Sequence, residues 1–315
     1  MNSNPLHITN GNSLTDYLNK LNISTPENTL TWQETLCVGP TVEDLTSEAF
    51  FKTRETFFKS FYDITLHREK MMEEFKKLDD VTGFTEVILW FEYDLFCHIN
   101  MVAVISLLEQ KGIYLPLYLV CSGRVEGEKD LKGLAELNQK QLESHYDNKI
   151  KLNVDDIALA KRVWRIYCGT DHNLLIPLIV RASSFKYMNI CLKAHIKRFP
   201  DTRSGISTLE YNILTLVKEN AITSRRHLVG YTLHYQGYYG YGDLQLERVI
   251  DLLSIFFTEE DGAIILNRKG HLALEHQHNY QKEMNNTIFY GGVSCLDYTF
   301  DKQQNKLIKT LIHAN

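Results

Sequence analysis

Apolar and polar positions recur in two rhythms along this chain. Leu6, His7 and Ile8 form a short β-type run that stops at Thr9-Asn10-Gly11-Asn12-Ser13. Leu14, Leu18 and Leu21 then recur at helical spacing. A second strand is predicted over Thr29 to Trp32, and helical patterns fill Val42 to Leu78. Val87-Ile88-Leu89-Trp90-Phe91 is an unbroken apolar run, as expected of a strand buried on both faces. A helix from about Leu95 to Lys111 follows, then a strand over Leu117 to Val120 that ends at Cys121-Ser122-Gly123. This alternation predicts an α/β, Rossmann-like domain with a mainly parallel sheet over residues 1–125.

From about Gly133 to Arg198 the pattern becomes helical, with Ile157, Ala160, Trp164 and Tyr167 on one face. Pro177 marks a helix start in this reading. Phe199 to Gly205 is a polar break and the expected linker, so residues 126–203 form a helical connecting region. A third unit is expected over 204–315. It opens with Ser207-Thr208-Leu209-Glu210, which has capping-box form. A helix after Ser224, a Tyr- and Gly-rich stretch over Tyr231 to Asp243, and a helix over Leu244 to Phe256 come next. A short strand over Ala263 to Leu266 and a basic wing at Arg268-Lys269-Gly270 complete a winged helix-turn-helix-like pattern from about Ser207 to Tyr280. Two last strands are expected around Thr287 to Tyr290 and Val293 to Thr299, joined at Gly291-Gly292.

Composition narrows the function classes. With 44% hydrophobic and 23% charged residues among 315, the chain is a folded globular protein, not a disordered one. Its 34 basic and 39 acidic residues give a net charge of −5, which disfavours nonspecific coating of nucleic acid. The six cysteines show no metal or redox spacing and suit reduced thiols in a cytoplasmic protein. Met1 to Thr9 lacks the pattern of a secretory signal, and no apolar run is long enough to cross a bilayer, so no membrane role is expected.

In a parallel sheet, ligands sit at the carboxyl ends of the strands. The turn carrying Thr9, Asn10, Gly11 and Ser13 follows a strand and opens a helix, so its amides and hydroxyls suit an anion. The alternative is a plain strand-to-helix turn capped by Asn12 or Ser13. Glu34 ends the second strand, and Glu92 and Asp94 end the third. Three carboxylates at one edge suit a cation such as Mg²⁺, a shared proton or a ligand's hydroxyls; otherwise Asp94 caps the next helix and Glu92 forms a salt bridge. Arg54 is a candidate phosphate contact or an ordinary surface arginine. His276 and His278 point to different helix faces and are read as exposed side chains. Arg225, Arg226, His227, Arg268 and Lys269 are the one basic grouping that suits DNA.

The runs from Leu6 to Ser13, from Trp32 to Pro40 and from Leu89 to Leu95 resemble the bacterial domain-of-unknown-function family numbered 1835. Its pattern is H-x-T-N-G-D-S, W-x-E-x-L-x-x-G-P and W-F-E-H-D-L-Y-D-Q. The part from Gly205 through Gly240-Tyr241-Gly242-Asp243 resembles the companion family numbered 3658. Asn12, Tyr93 and Cys97-His98 depart from the first family's Asp, His and Asp-Gln. The resemblance supports the architecture and implies no established activity. Two functions are expected. One is a binder of a phosphorylated small molecule or nucleotide, with hydrolysis or group transfer by Glu34, Glu92 or Asp94. The other is a ligand-sensing regulator whose winged-helix part contacts DNA or a protein.

Overall fold

A computed structural model describes residues 4–261 and 263–310. The first three residues of the Met1 to Thr9 stretch and the last five of the third segment therefore lie outside the described residues. The chain runs through β1 (Pro5–Asn10), α1 (Asn12–Lys20), β2 (Thr29–Trp32), β3 (Gly39–Pro40), α2 (Glu48–Tyr62) and α3 (Arg68–Lys76). It continues through β4 (Glu86–Phe91), α4 (Leu95–Gln110), β5 (Leu117–Cys121), α5 (Gln139–Asp147), β6 (Ile150–Lys151), α6 (Val154–Cys168) and α7 (Met188–Ile196). The last third holds α8 (Thr208–Glu219), α9 (Arg225–Tyr235), α10 (Asp243–Leu252), β7 (Phe257–Glu260), β8 (Ala263–Leu266), α11 (Arg268–Leu274), α12 (Gln281–Met284), β9 (Phe289–Gly291), β10 (Val293–Ser294), β11 (Tyr298–Asp301) and β12 (Lys306–Lys309).

The main sheet has the order β2-β1-β4-β5-β6. Its first four strands are parallel, and β6 joins antiparallel. The fold is therefore α/β with a mainly parallel sheet. Strand β4 lies inside it, which is why all five residues of its apolar run are fully buried. Helix α4 is buried almost all round, because α6 and α7 pack on it from the side away from the sheet. Strand β2 is the edge. Glu74 accepts its free Thr31 amide at 2.7 Å, and Lys77 donates to Thr29 O at 2.7 Å, so α3 closes that edge.

The order reverses between β1 and β4, since the chain leaves β1 toward β2 on one side and reaches β4 on the other. That is the switch point where such sheets open a crevice. One apolar core runs from Leu6 to Leu307 and includes residues of all three segments. Strand β3 pairs in parallel with β9, tying the loop after β2 to the last third of the chain.

Four expectations change. Pro177 lies inside a 3-10 turn over His172–Leu178 and starts no helix. Ile150 and Lys151 lie in the segment read as helical, but they form β6; two exposed residues leave no periodic signal. Arg268 and Lys269 open α11 and do not form a wing; the turn of the β7–β8 hairpin lies around Asp261. The stretch Phe199 to Gly205 is no exposed linker. Asp201 is buried, and its Oδ1 accepts the amides of Arg203 at 2.9 Å and Ser204 at 3.2 Å. Among the described residues no helix is long and apolar enough to cross a membrane.

Removing the Asp201 carboxylate strands both amides. Asp201→Ala is expected to lose about 2–3 kcal/mol in urea unfolding. A loss below about 0.5 kcal/mol would mean that the segment behaves as a free linker.

Candidate functional site

Parallel pairing brings Asn10, Trp32 and Phe91 to one edge of the sheet. Asn100, on α4, ties this edge together. Its Nδ2 donates to Asn10 Oδ1 at 2.9 Å and to Glu34 O at 2.7 Å, while its Oδ1 accepts the Leu36 amide at 3.2 Å. Asn10 Nδ2 in turn donates to Cys97 Sγ at 3.0 Å. Asn10 and the backbone of Glu34 are thus joined through one residue that the sequence did not single out.

Two expected ligand contacts are structural instead. Arg54 is fully buried. Its Nε donates to Glu34 Oε2 at 3.0 Å, and its other groups donate to Thr35 O, Val38 O and Pro40 O. Four of its five donors are spent on the loop after β2, so it does not reach a phosphate. The same pair fixes Glu34, which is 5% exposed, as a counter-ion and removes it as a base. Thr9 bonds the Thr15 hydroxyl at 2.5 Å in a buried group with Thr31, on the helix α1 side of the sheet.

Glu92 and Asp94 stand close together beyond β4. One carboxylate oxygen of each and Cys97 Sγ all lie within 4.8 Å of one another. Asp94 caps α4 by accepting the Cys97 amide at 2.8 Å. Glu92 accepts the Leu134 amide at 2.6 Å. Burial, with the Asp94 charge beside it, pushes the Glu92 carboxyl up from the ordinary 4.5 to about 7. Burial also raises Asp94. The donors are two carboxylates and a thiol whose ionisation burial opposes. Mg²⁺ takes oxygen ligands and keeps several waters, so this set fits it poorly.

The chain itself covers Asp94. Tyr238 O accepts the Leu95 amide at 2.8 Å and Tyr239 O the Phe96 amide at 3.2 Å, which takes up the open start of α4. At Gly240, φ is 70°, and a Cβ there would lie 2.2 Å from the Asp94 carboxylate carbon. Only glycine fits. The Tyr- and Gly-rich stretch is a plug over this half of the edge.

The other half is open. Helix α1 starts at Gly11, where φ is 99° and among the described residues no side chain caps the helix. Asn12 and Ser13 are exposed. Gln33 Nε2 donates to Asn12 Oδ1 at 2.9 Å, so the end of β2 touches the start of α1. Gln33 also lines a cavity of about 280 Å³ between β2 and α3. Its walls include Trp32, Leu66, His67, Lys70 and Phe75. Trp32 is 2% exposed and stacks on Phe75 with ring centres 5.6 Å apart. Its indole Nε1 has no hydrogen-bond partner among the described residues. Of this cavity the sequence singled out Glu34 alone, because α3 comes from a segment read only as helical.

No protein-family model matches the chain, and no curated protein matches it significantly. Among solved structures, the Plasmodium falciparum topoisomerase II DNA-binding, cleavage and re-ligation domain matches with a TM-score of 0.48 and 15% identity. The match covers 79% of this chain and 41% of that one. No property of that protein transfers at this level of likeness.

Between pH 4.5 and about 7 the folded protein holds a proton on Glu92 that the unfolded chain has released. Stability from this group therefore falls as pH rises through that window. Glu92→Gln removes the fall. The variant is expected to match wild type near pH 4 and to exceed it by roughly 2 kcal/mol at pH 8 in urea unfolding, the partial exposure of Glu92 reducing the full effect. Equal stability at pH 8 would contradict this.

Proposed function

We propose that the protein binds a nucleotide or a similar phosphorylated small molecule across the start of α1 and the cavity beside β2. One observation carries this: the Gln33–Asn12 bond joins an uncapped helix start to a cavity walled by Trp32 and Phe75 together with polar side chains. The first amides of α1 and the positive end of its dipole suit a phosphate. The cavity is close to the smallest sizes of small-molecule sites and suits a flat ring between aromatic and aliphatic walls. Trp32 and Phe75, stacked with ring centres 5.6 Å apart, supply its aromatic wall. Lys70 and His67 add donors along the wall. Glu92 and Asp94 stand on the covered half of the edge and do not line this cavity, so the proposed role is binding, with no hydrolysis or transfer assigned to them.

A regulator's contact surface in the last third is the second reading. Helix α8, Ile222, α9, α10 and the β7–β8 hairpin follow one another in winged-helix order, with Ile222 bridged to Ile264. Helix α10 would be the recognition helix. It carries Asp243, Glu247 and Asp251 against Arg248, and the hairpin carries Glu259, Glu260 and Asp261. Asp251 and Glu259 hold Arg225, and Glu283 holds Lys269. Such a surface suits a protein partner better than a phosphate backbone.

Thermal melts with adenosine monophosphate, ribose 5-phosphate and adenosine test the ligand reading. The monophosphate is expected to raise Tm, by mass action on the folded state. Ser13→Asp puts a negative charge in the first turn of α1. It is expected to stabilise the free protein by about 0.5 kcal/mol. It is also expected to weaken the monophosphate about ten-fold or more while sparing adenosine. If no phosphorylated probe raises Tm, the reading is wrong.

A further inference from the structure

Arg198 lies just past α7, and only 2% of it is exposed. Among the described residues no carboxylate lies within ion-pair distance of it. Its Nη1 donates to Cys37 O and to the Tyr241 hydroxyl, the latter at 3.1 Å. Its Nη2 donates to His195 Nδ1. The Tyr290 ring centre lies 3.9 Å from the guanidinium carbon. Nε has no partner among the described residues.

Every one of these partners is neutral. A guanidinium only donates, so His195 Nδ1 must accept, and the His195 hydrogen sits on Nε2. Nε2 faces His172 Nδ1 at 2.9 Å. His172 then donates from Nε2 to Tyr167 O at 2.9 Å. Burial holds both imidazoles below the ordinary range, His172 at about 4. The relay ends on a carbonyl and brings no negative charge to Arg198. A buried cation without a counter-ion is a strongly unfavourable arrangement.

Arg198 lines a cavity of about 20 Å³, room for one water-sized particle. Arg248 also lines it, stacked over Phe61 at 4.7 Å. Arg248 is exposed for much of its length, so its charge is solvated where Arg198's is not. Glu210 stands on the same wall, but its Oε2 already accepts the Ser207 amide at 2.5 Å, and burial raises its pKa.

We propose that a small monovalent anion of halide size binds in this cavity against Arg198. Its wall joins Tyr62 of the first segment, Arg198 of the second, and Tyr241 and Arg248 of the third. The anion would fasten the last third of the chain to the α/β layer. A phosphate is too large for this space, so the site is independent of the ligand reading at α1.

The full chain is melted in sodium chloride, sodium bromide and sodium gluconate at matched ionic strength. Halide is expected to raise Tm with saturation, and gluconate is not. Arg198→Met removes the whole buried network, so Arg248→Gln carries the mutational test. It is expected to fold and to need about ten-fold more halide for the same rise. Crystals soaked in bromide are expected to show an anomalous peak beside Arg198. Equal Tm in halide and gluconate, an Arg248→Gln response identical to wild type, or a bromide map with no peak at Arg198 would each overturn the proposal, leaving a water in the cavity.

Discussion

The Asn100 carboxamide holds the carboxyl edge of the sheet together. A parallel sheet leaves polar groups at its strand ends, and burying them without partners is costly. Asn100 meets this demand for β1 and for the loop after β2 at once, through Asn10, Glu34 O and Leu36. Arg54 does the same for the rest of that loop, with three carbonyls and the Glu34 carboxylate. With both in place, the loop lies flat enough for β3 to pair with β9 and for Tyr167 OH to reach Leu36 O at 2.9 Å. The last third of the chain packs on the loop held in this way, through β3–β9 and Tyr167.

Docking divides the edge in two. Beyond β4, backbone carbonyls of Tyr238 and Tyr239 take the first amides of α4, and Gly240 presses on Asp94. Beyond β1, helix α1 keeps its first amides open next to the cavity lined by Trp32 and Gln33. The same physical feature, a helix start aimed at the strand ends, is used once for assembly and once, in the proposed reading, as an anion site. The acidic α10 and hairpin present exposed carboxylates, two of which, Asp251 and Glu259, hold Arg225.

Much of the sheet was legible in the sequence. The sequence pattern places β2 at its observed ends and β1, β4 and β5 within one or two residues, because β4 and β5 carry nearly unbroken apolar runs and β1 and β2 alternate apolar with polar residues. The Ser207–Glu210 capping box was legible because its bonds are local. Arg54 was not, since an arginine on a helix looks the same whether it faces water or a ring of loop carbonyls. Asn100 was missed for a similar reason: its partners lie 64 to 90 positions away. The closing of the edge by Gly240 was equally hidden, because it depends on how the last third docks. Asp201 misled in the opposite direction. A Pro-Asp-Thr-Arg-Ser-Gly string has linker composition, yet its side-chain bonds build a buried turn.

Nuclear magnetic resonance of the amide and indole N–H groups during titration with adenosine monophosphate tests the open half of the edge most directly. The phosphate and the ring are expected to engage together. The amides of Asn12, Ser13 and Leu14 and the Trp32 indole N–H should therefore move along one binding curve, with the indole shifting as a ring settles against the Trp32 wall of the cavity. A Trp32 indole that stays still while the α1 amides move would show an anion at a bare helix start and no ligand in the cavity. No movement at either place would remove the site altogether.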